Sequence, residues 1–391
     1  MSENSLLDPA LCWELGIAQQ NKHGEGICGD SVVVSRSGDG VQIVLSDGLG
    51  SGIQANIAST LTTALLSGLT AGGVPIEDAI RAASAVLPTT RRQGLAYATF
   101  SLVRTEGRSV HILQYDSPQA LFLRDGVSLP FSCAERTLAG KDVTDASLTM
   151  KCGDMLVLFS DGVSEAGRGV TTYSGWDRAL MEDYLSRSIQ PDDAAPRVAA
   201  GILSAVQAID LFDFHDDTTV VVLRLRERSA VNLLIAMSDE IVVGDEQLRR
   251  FFSLDGKRVI CGVSAVQTAA AYLGQEFRAL RRSGEDAAPP ICRLAGVELS
   301  LEAAQTLKST IVQIEEARAK PLLRLEFGRE GDGVSQLLSL LTEEASDVNL
   351  LLCGSGTKPR DDMHEKSTLA LVLQLRELLI EEGKQVELYV C

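Results

Sequence analysis

At "RLRERSA", residues 224–230, the hydrophobic pattern of the chain changes period, and that change restricts the fold more than any other feature. Before it, short apolar runs are separated by turn residues: "DSVVVSRS", "VQIVLSD", "YATFSLVRT", "SVHILQYDS", "ALFLRDG", "DMLVLFSDG" and "TTVVVLRLR". Such runs, with glycine in the turns between them, predict an antiparallel β core. Residues 53–68 and 76–87 have helical spacing of apolar side chains, which predicts a helix pair laid over one sheet. A further helical region spans about 176–209. From Val231 on, near-continuous apolar strands alternate with helices: "VNLLIAM", "RVICGV", "LLRLEFG", "VNLLLCGSG" and "QVELYVC", with helical segments near 245–252, 264–282, 301–318, 333–345 and 365–382. That alternation predicts a sheet covered on both faces. The expected organisation is two domains, 1–229 and 230–391, with "RRSGEDAAPP" at 281–290 as an exposed loop.

Charge narrows the partners. A formal net charge of −17 argues against nucleic acid or an anionic membrane surface. No run reaches the roughly 18 apolar residues that a membrane span needs. The opening "MSENSLLDPALCWELG" lacks the basic stretch of a secretion signal, so the expected address is cytoplasmic. The eight cysteines (Cys12, Cys28, Cys133, Cys152, Cys261, Cys292, Cys353 and Cys391) form no CxxC pair. They read as reduced thiols, mostly packed as small apolar groups.

The chemistry sits at strand ends. In "IVLSDGLGSGIQA", residues 43–55, a glycine-rich turn joins a strand to a helix, a form that often cradles phosphate. Here, however, it begins with an acid, Asp47. "DMLVLFSDG" ends likewise on Asp161-Gly162, "FHDDTTVVVLRL" places Asp216 and Asp217 just before a strand, and "GEGICGDSVVV" starts one with Asp30. A single Asp-Gly pair is commonly a plain turn, as expected for Asp125-Gly126. Four such carboxylates can converge at one sheet edge and offer oxygen ligands to Mg²⁺ or Mn²⁺. Two such ions, about 3.5–4 Å apart, would activate a water and clamp a phosphoryl group. No Cys-His or Ser-His-Asp arrangement competes with this reading. His23, His111, His215 and His364 are scattered; His111 reads as structural, and His215, which abuts Asp216, as a turn residue.

"GD" at 29–30, "DGLGSG" at 47–52, "GDMLVLFSDGVSEA" at 153–166 and "DDTTVVV" at 216–222 resemble, in order and spacing, the metal-dependent serine/threonine phosphatases. The branch they resemble is the bacterial sporulation stage II protein E (SpoIIE) type of the protein phosphatase 2C superfamily, over roughly residues 12–226. "YATFSLV" at 97–103 and "GW" at 175–176 are further matches. The resemblance implies an α+β fold, a β-sandwich flanked by helices, followed here by an α/β domain. It implies two divalent cations, Mn²⁺ or Mg²⁺. Asp47 would bridge both and the Gly48 carbonyl would bind one; Asp161 and Asp216 would complete the first, and Asp30 would help hold the second. Asp217 stands where related enzymes often have a polar residue that is not a ligand. The reaction implied is hydrolysis of phosphoserine or phosphothreonine by metal-bound water, with no covalent intermediate and no catalytic side chain as nucleophile. The partner implied is a phosphoprotein of bacterial signalling, such as an anti-sigma-factor antagonist. In this branch, activity often depends on movement of the paired helices, here 53–87. The family loop often reads DGMGHG, and this chain departs from it at Leu49 and Ser51.

Residues 230–391 hold no motif of comparable strength. "RVICGVSAVQTAAAYLG" at 258–274 is a strand, glycine turn and helix in which Gly262 and Ser264 could face an anion, or form only a turn. "LLLCGSGTKPRDD" at 350–362 offers Lys358 and Arg360 in a similar loop. The segment resembles the C-terminal extension of some SpoIIE-type phosphatases from anaerobic bacteria, and a regulatory or partner-docking role is the expectation. Two other functions stay open for the whole chain: a non-catalytic docking module, and a hydrolase of small phosphorylated metabolites.

Overall fold

The period-two runs of the first half fold into two antiparallel sheets. The computed structural model describes residues 7–86, 98–238, 241–278, 291–329, 332–354 and 363–390. One sheet has the strand order β1 (Leu11–Gln20), β11 (Thr218–Glu227), β10 (Met155–Phe159), β6 (Leu121–Arg124), β7 (Val127–Leu129). The other runs β2 (Asp30–Ser37), β3 (Gly40–Asp47), β4 (Phe100–Glu106), β5 (Ser109–Tyr115), β9 (Lys141–Thr149), β8 (Ala134–Leu138). Their inner faces meet in one buried cluster that includes Trp13, Ile43, Val103, Ile112, Leu156 and Val221. Strand alternation sends every second residue there, which fixes the register of each pair.

Helices cover the outer faces. Helices α1 (Gly52–Ala71) and α2 (Ile76–Val86) set Leu66 and Ile80 against Phe100, Leu102 and Leu113 of the second sheet. After the short α3 (Asp161–Ser164) and α4 (Arg178–Ser188), α5 (Ala195–Ile209) lies on the first sheet. It comes so close that a Cβ on Gly16 would stand 2.1 Å from the Ala195 carbonyl oxygen. The result is an α+β sandwich flanked by helices. The helical region at 176–209 is therefore two helices, broken around Pro191, whose ring cannot continue one. Asp125 (φ 53°) and Gly126 (φ 75°) make the two-residue turn between β6 and β7, both in the left-handed region that such hairpins require.

By contact the chain divides into two units, Met1–Glu227 and Arg228–Cys391. The second holds a parallel sheet of β12 (Ala230–Ala236), β13 (Lys257–Cys261), β14 (Leu299–Leu301), β15 (Asp347–Cys353) and β16 (Gln385–Val390), in the order β14-β13-β12-β15-β16. Leu233, Ile235, Leu350 and Leu352 face α8 (Ala304–Ala319), α9 (Gly333–Leu338) and α10 (Met363–Glu381). Leu234, Ile260 and Leu351 face α6 (Asp245–Ser253) and α7 (Val263–Tyr272). Both faces are thus apolar and covered, which accounts for the unbroken apolar runs.

Two expectations fail in this unit. "LLRLEFG" at 322–328 is no strand: Pro321–Glu326 is a 3₁₀ helix. Pro321 opens it with a helical φ, and Arg324 turns inward to pair with Glu382 at 2.6 Å. The helix expected at 264–282 ends at Tyr272. The Gly262 N–H already donates to the Leu301 carbonyl at 2.7 Å, so it does not face an anion. Lys358, Arg360 and the loop at 281–290 lie outside the described residues.

Candidate metal centre

Each sheet of the sandwich brings a pair of aspartates to the same end. In the β2–β3 ladder Asp30 is the direct cross-strand partner of Asp47. In the other sheet β10 and β11 pair antiparallel, and the Ser160 N–H donates to the Thr219 carbonyl at 3.0 Å. The strand ends carrying Asp161 and Asp216 are therefore neighbours. Asp47, Asp161 and Asp216 line one cavity of about 410 Å³, together with Lys22, Thr99 and Asp116. Asp30, 3% exposed, sits beneath them.

The glycines beside these acids are sterically required. A Cβ on Gly48 would stand 2.0 Å from the Ala55 carbonyl oxygen, where α1 crosses the strand end. One on Gly162 would stand 2.3 Å from the Asp217 carbonyl oxygen. Thr99 clamps Asp47 from the adjoining chain. Its N–H donates to the Asp47 carbonyl at 2.9 Å, and its Oγ1 accepts the Asp47 N–H at 3.3 Å.

Burial and mutual repulsion raise the carboxyls of Asp30, Asp47 and Asp216 above their ordinary value. Burial first, then the charges of Asp30 and Asp161, pushes Asp47 up to about 9. Burial pushes Asp30 up to about 7, while the nearby Thr219 and Ser160 hydroxyls hold it partly down and Asp217 and Asp161 push it further. Asp216 is raised by burial and held back by the Asp217 N–H and by Lys22. Both carboxylate oxygens of Asp30 are buried without a hydrogen-bond partner of good geometry. Such a set fits a hard cation, which would replace the protons and satisfy the orphaned oxygens. Among the described residues no three His, Cys, Asp or Glu side chains close on a single point.

A pH dependence follows for the metal-free protein. Asp30 and Asp47 have an ordinary value of 3.8 and are raised to about 7 and about 9 in the fold. The folded state thus holds more protons than the unfolded one between those values, and raising the pH opposes folding. Melting in EDTA is expected to fall in temperature from pH 5 to pH 9, with Mn²⁺ reversing the loss at the alkaline end. A flat profile would contradict the assignment.

Asp217 does not line the cavity. It is 3% exposed, and its carboxylate accepts the N–H groups of Lys22 and Gly29, each at 2.9 Å. His215 pairs its Nδ1 with the buried Asp210 at 3.2 Å and is structural. Ser51, at the position of the family's His, donates to Glu25 Oε1 at 3.2 Å. Lys22 and Asp116 were not singled out from the sequence. Asp116 follows β5 with φ 48°, a strained value whose only sequence signal is an aspartate after a strand.

A family model described as Stage II sporulation protein E (SpoIIE) matches residues 37–226, which hold Asp47, Asp161 and Asp216. The chain is 25% identical over 226 residues to stage II sporulation protein E of Priestia megaterium, covering 55% of this chain and 37% of that protein. The namesake from Bacillus subtilis (strain 168) is 25% identical over 216 residues, covering 54% of this chain and 25% of that protein. The chain thus spans well under half the length of either relative. A solved structure of the PP2C phosphatase domain and a fragment of the regulatory domain of SpoIIE from Bacillus subtilis gives a TM-score of 0.48 at 24% identity, covering 56% of this chain and 63% of that one. Over residues 37–226 the first unit of this chain is thus similar to the SpoIIE family.

Proposed function

We propose that the chain is a metal-dependent phosphoprotein phosphatase that hydrolyses phosphoserine or phosphothreonine on a bacterial signalling protein. The observation that carries this reading is the convergence of strand-end aspartates from both sheets on one cavity. Asp47, Asp161 and Asp216, with the Gly48 carbonyl, would hold two divalent cations, Mn²⁺ or Mg²⁺, and Asp30 would support the second from below. When bound, the ions would lower the pKa of a shared water and offset phosphoryl charge. The chain's own part is orientation. Thr99 fixes the Asp47 backbone, Asp217 fixes the 22–29 loop, and the glycines bring the chain close enough for the acids to meet.

The family resemblance makes a phosphorylated anti-sigma-factor antagonist the specific candidate substrate. The second unit is proposed as a regulatory or partner-docking domain. The full chain should release phosphate from a phosphoserine protein in Mn²⁺ and not in EDTA. Turnover of small phosphorylated metabolites but of no phosphoprotein would redirect the assignment. Absence of any turnover, with two Mn²⁺ bound by calorimetry, would leave only a docking role.

A further inference from the structure

We propose that Leu211 and Phe212, in the turn that closes α5, dock an apolar segment of the phosphoprotein substrate at the rim of the aspartate cavity. The proposal rests on the phosphatase reading of that cavity. In this turn the Leu211 N–H donates to the Ala208 carbonyl at 3.2 Å and the Phe212 N–H to the Gln207 carbonyl at 2.7 Å. Helix endings of this form favour glycine just past the cap, because the backbone there is left-handed. Here Leu211 and Phe212 hold φ values of 57° and 68°. The second residue of such an ending commonly folds back onto the helix as an apolar contact. Phe212 does not: it is 76% exposed, and Leu211 is 61% exposed. The chain thus keeps two large apolar side chains in solvent on a backbone that glycine would adopt without strain. Packing within the unit does not explain them, whereas a surface that receives an apolar partner does.

The position of the turn selects the partner. Phe212 stands four residues before Asp216, which lines the cavity, so the two Cα atoms lie within roughly 14 Å of each other. Two ties hold the turn against the cavity wall. His23, next in sequence to the wall residue Lys22, pairs its Nδ1 with Asp213 at 2.8 Å, and its N–H donates to the Phe214 carbonyl at 2.9 Å. On the other side the loop after α3 leans on the turn. The Gly167 N–H donates to Asp210 Oδ1 at 2.5 Å, and Thr171 Oγ1 donates to the Ile209 carbonyl at 2.8 Å. That loop adds Val170 and Tyr173, both exposed. The acids of the turn and the loop are each paired, Asp213 with His23, Asp210 with His215 and Glu165 with Arg168. The patch therefore offers apolar surface with its local acids neutralised, which suits apolar side chains flanking a phosphoserine better than a basic segment.

The test uses the full chain in Mn²⁺ and two phosphoserine peptides, one carrying leucines and the other serines over about five residues on either side of the phosphoserine, a reach of roughly 17 Å. Wild type is compared with the double variant Leu211→Gly, Phe212→Gly. The readouts are kcat/KM for each peptide and for p-nitrophenyl phosphate, the melting temperature, and the oligomeric state by sedimentation. Wild type should favour the leucine peptide by about 10- to 100-fold, through KM. In the variant, the kcat/KM ratio of leucine peptide to p-nitrophenyl phosphate should fall by a similar factor. Its Tm should rise by about 2–4 °C, because glycine relieves the left-handed backbone and little buried surface is lost. A gain in stability with a loss of peptide preference is the signature of docking and not of damage to the fold. An unchanged ratio, a lower Tm, or a wild-type dimer that the substitutions dissolve with the preference intact would overturn the docking assignment alone. A wild type that hydrolyses neither peptide would overturn the phosphoprotein reading of the cavity and the proposal with it.

Discussion

Asp47→Asn is expected to lower Mn²⁺-dependent phosphoester hydrolysis by roughly a thousandfold while making the metal-free fold more stable. The two effects have one cause. Asp47 faces Asp30 across the ladder and shares the cavity with Asp161 and Asp216, so its charge is repelled until a cation arrives. That repulsion, added to burial, raises its carboxyl to about 9, and at pH 8 the folded protein carries the resulting penalty. An amide has the same shape and no charge to be repelled. The melting temperature in EDTA at pH 8 should therefore rise by a few degrees, at about 2–4 °C per kcal/mol for a domain of this size. Addition of Mn²⁺ should raise the wild-type Tm and leave the variant nearly unmoved, because only a ligand that binds the folded state shifts the equilibrium. Full activity in Asp47→Asn would remove Asp47 from the centre of the site. A variant with a lower metal-free Tm would mean that its lost activity reflects damage to the fold.

Glu14→Ala is expected to cost about 3–5 kcal/mol of stability, the usual penalty for breaking a buried ion pair. Glu14 lies on β1 directly opposite Arg224 of β11, and its carboxylate reaches Arg226 at 2.6 Å and Arg224 at 3.5 Å. It also accepts the N–H of Ala195 at 2.9 Å, at the start of α5, where negative charge suits the helix dipole. Arg224 in turn donates to the carbonyls of Pro191 and Asp192, and its side chain is 10% exposed. Alanine would leave that guanidinium buried beside no acid and α5 without its anchor. A drop in Tm on the order of 10 °C should follow. Glu14→Gln should lose less, since it still accepts from Ala195. A change in Tm within a degree of wild type would show that the triad is solvated and adds little.

The acids of the site were legible in the sequence because chemistry and steric need coincide there. Asp47-Gly48 and Asp161-Gly162 are each followed by a close chain crossing, and the motif records both facts. Asp30 was legible as a strand start, but its pairing with Asp47 is a matter of register, which appears only once the inner faces are packed. Lys22 left no trace at all, since its loop is set by a carboxylate 195 positions away. Strand β1, "LCWELGIAQQ", escaped notice because Glu14 and Gly16 interrupt the apolar pattern, and both are there to receive α5. Strand β8, "AERTL", is an edge strand with mostly exposed side chains, so it shows almost no apolar alternation. The failed strand at 322–328 shows the converse. Its alternation was genuine, but Arg324 went to Glu382 and Pro321 started a helical turn.

On the proposed function, the division of the four acids between two sheets would make catalysis a late event in the life of the chain. A folding intermediate with the β2–β3 hairpin formed owns Asp30 and Asp47, and one with β10 paired to β11 owns Asp161 and Asp216. Neither half assembles the other's acids. On that function, turnover would begin only when the sandwich has closed, and a nascent or partly melted molecule would be silent.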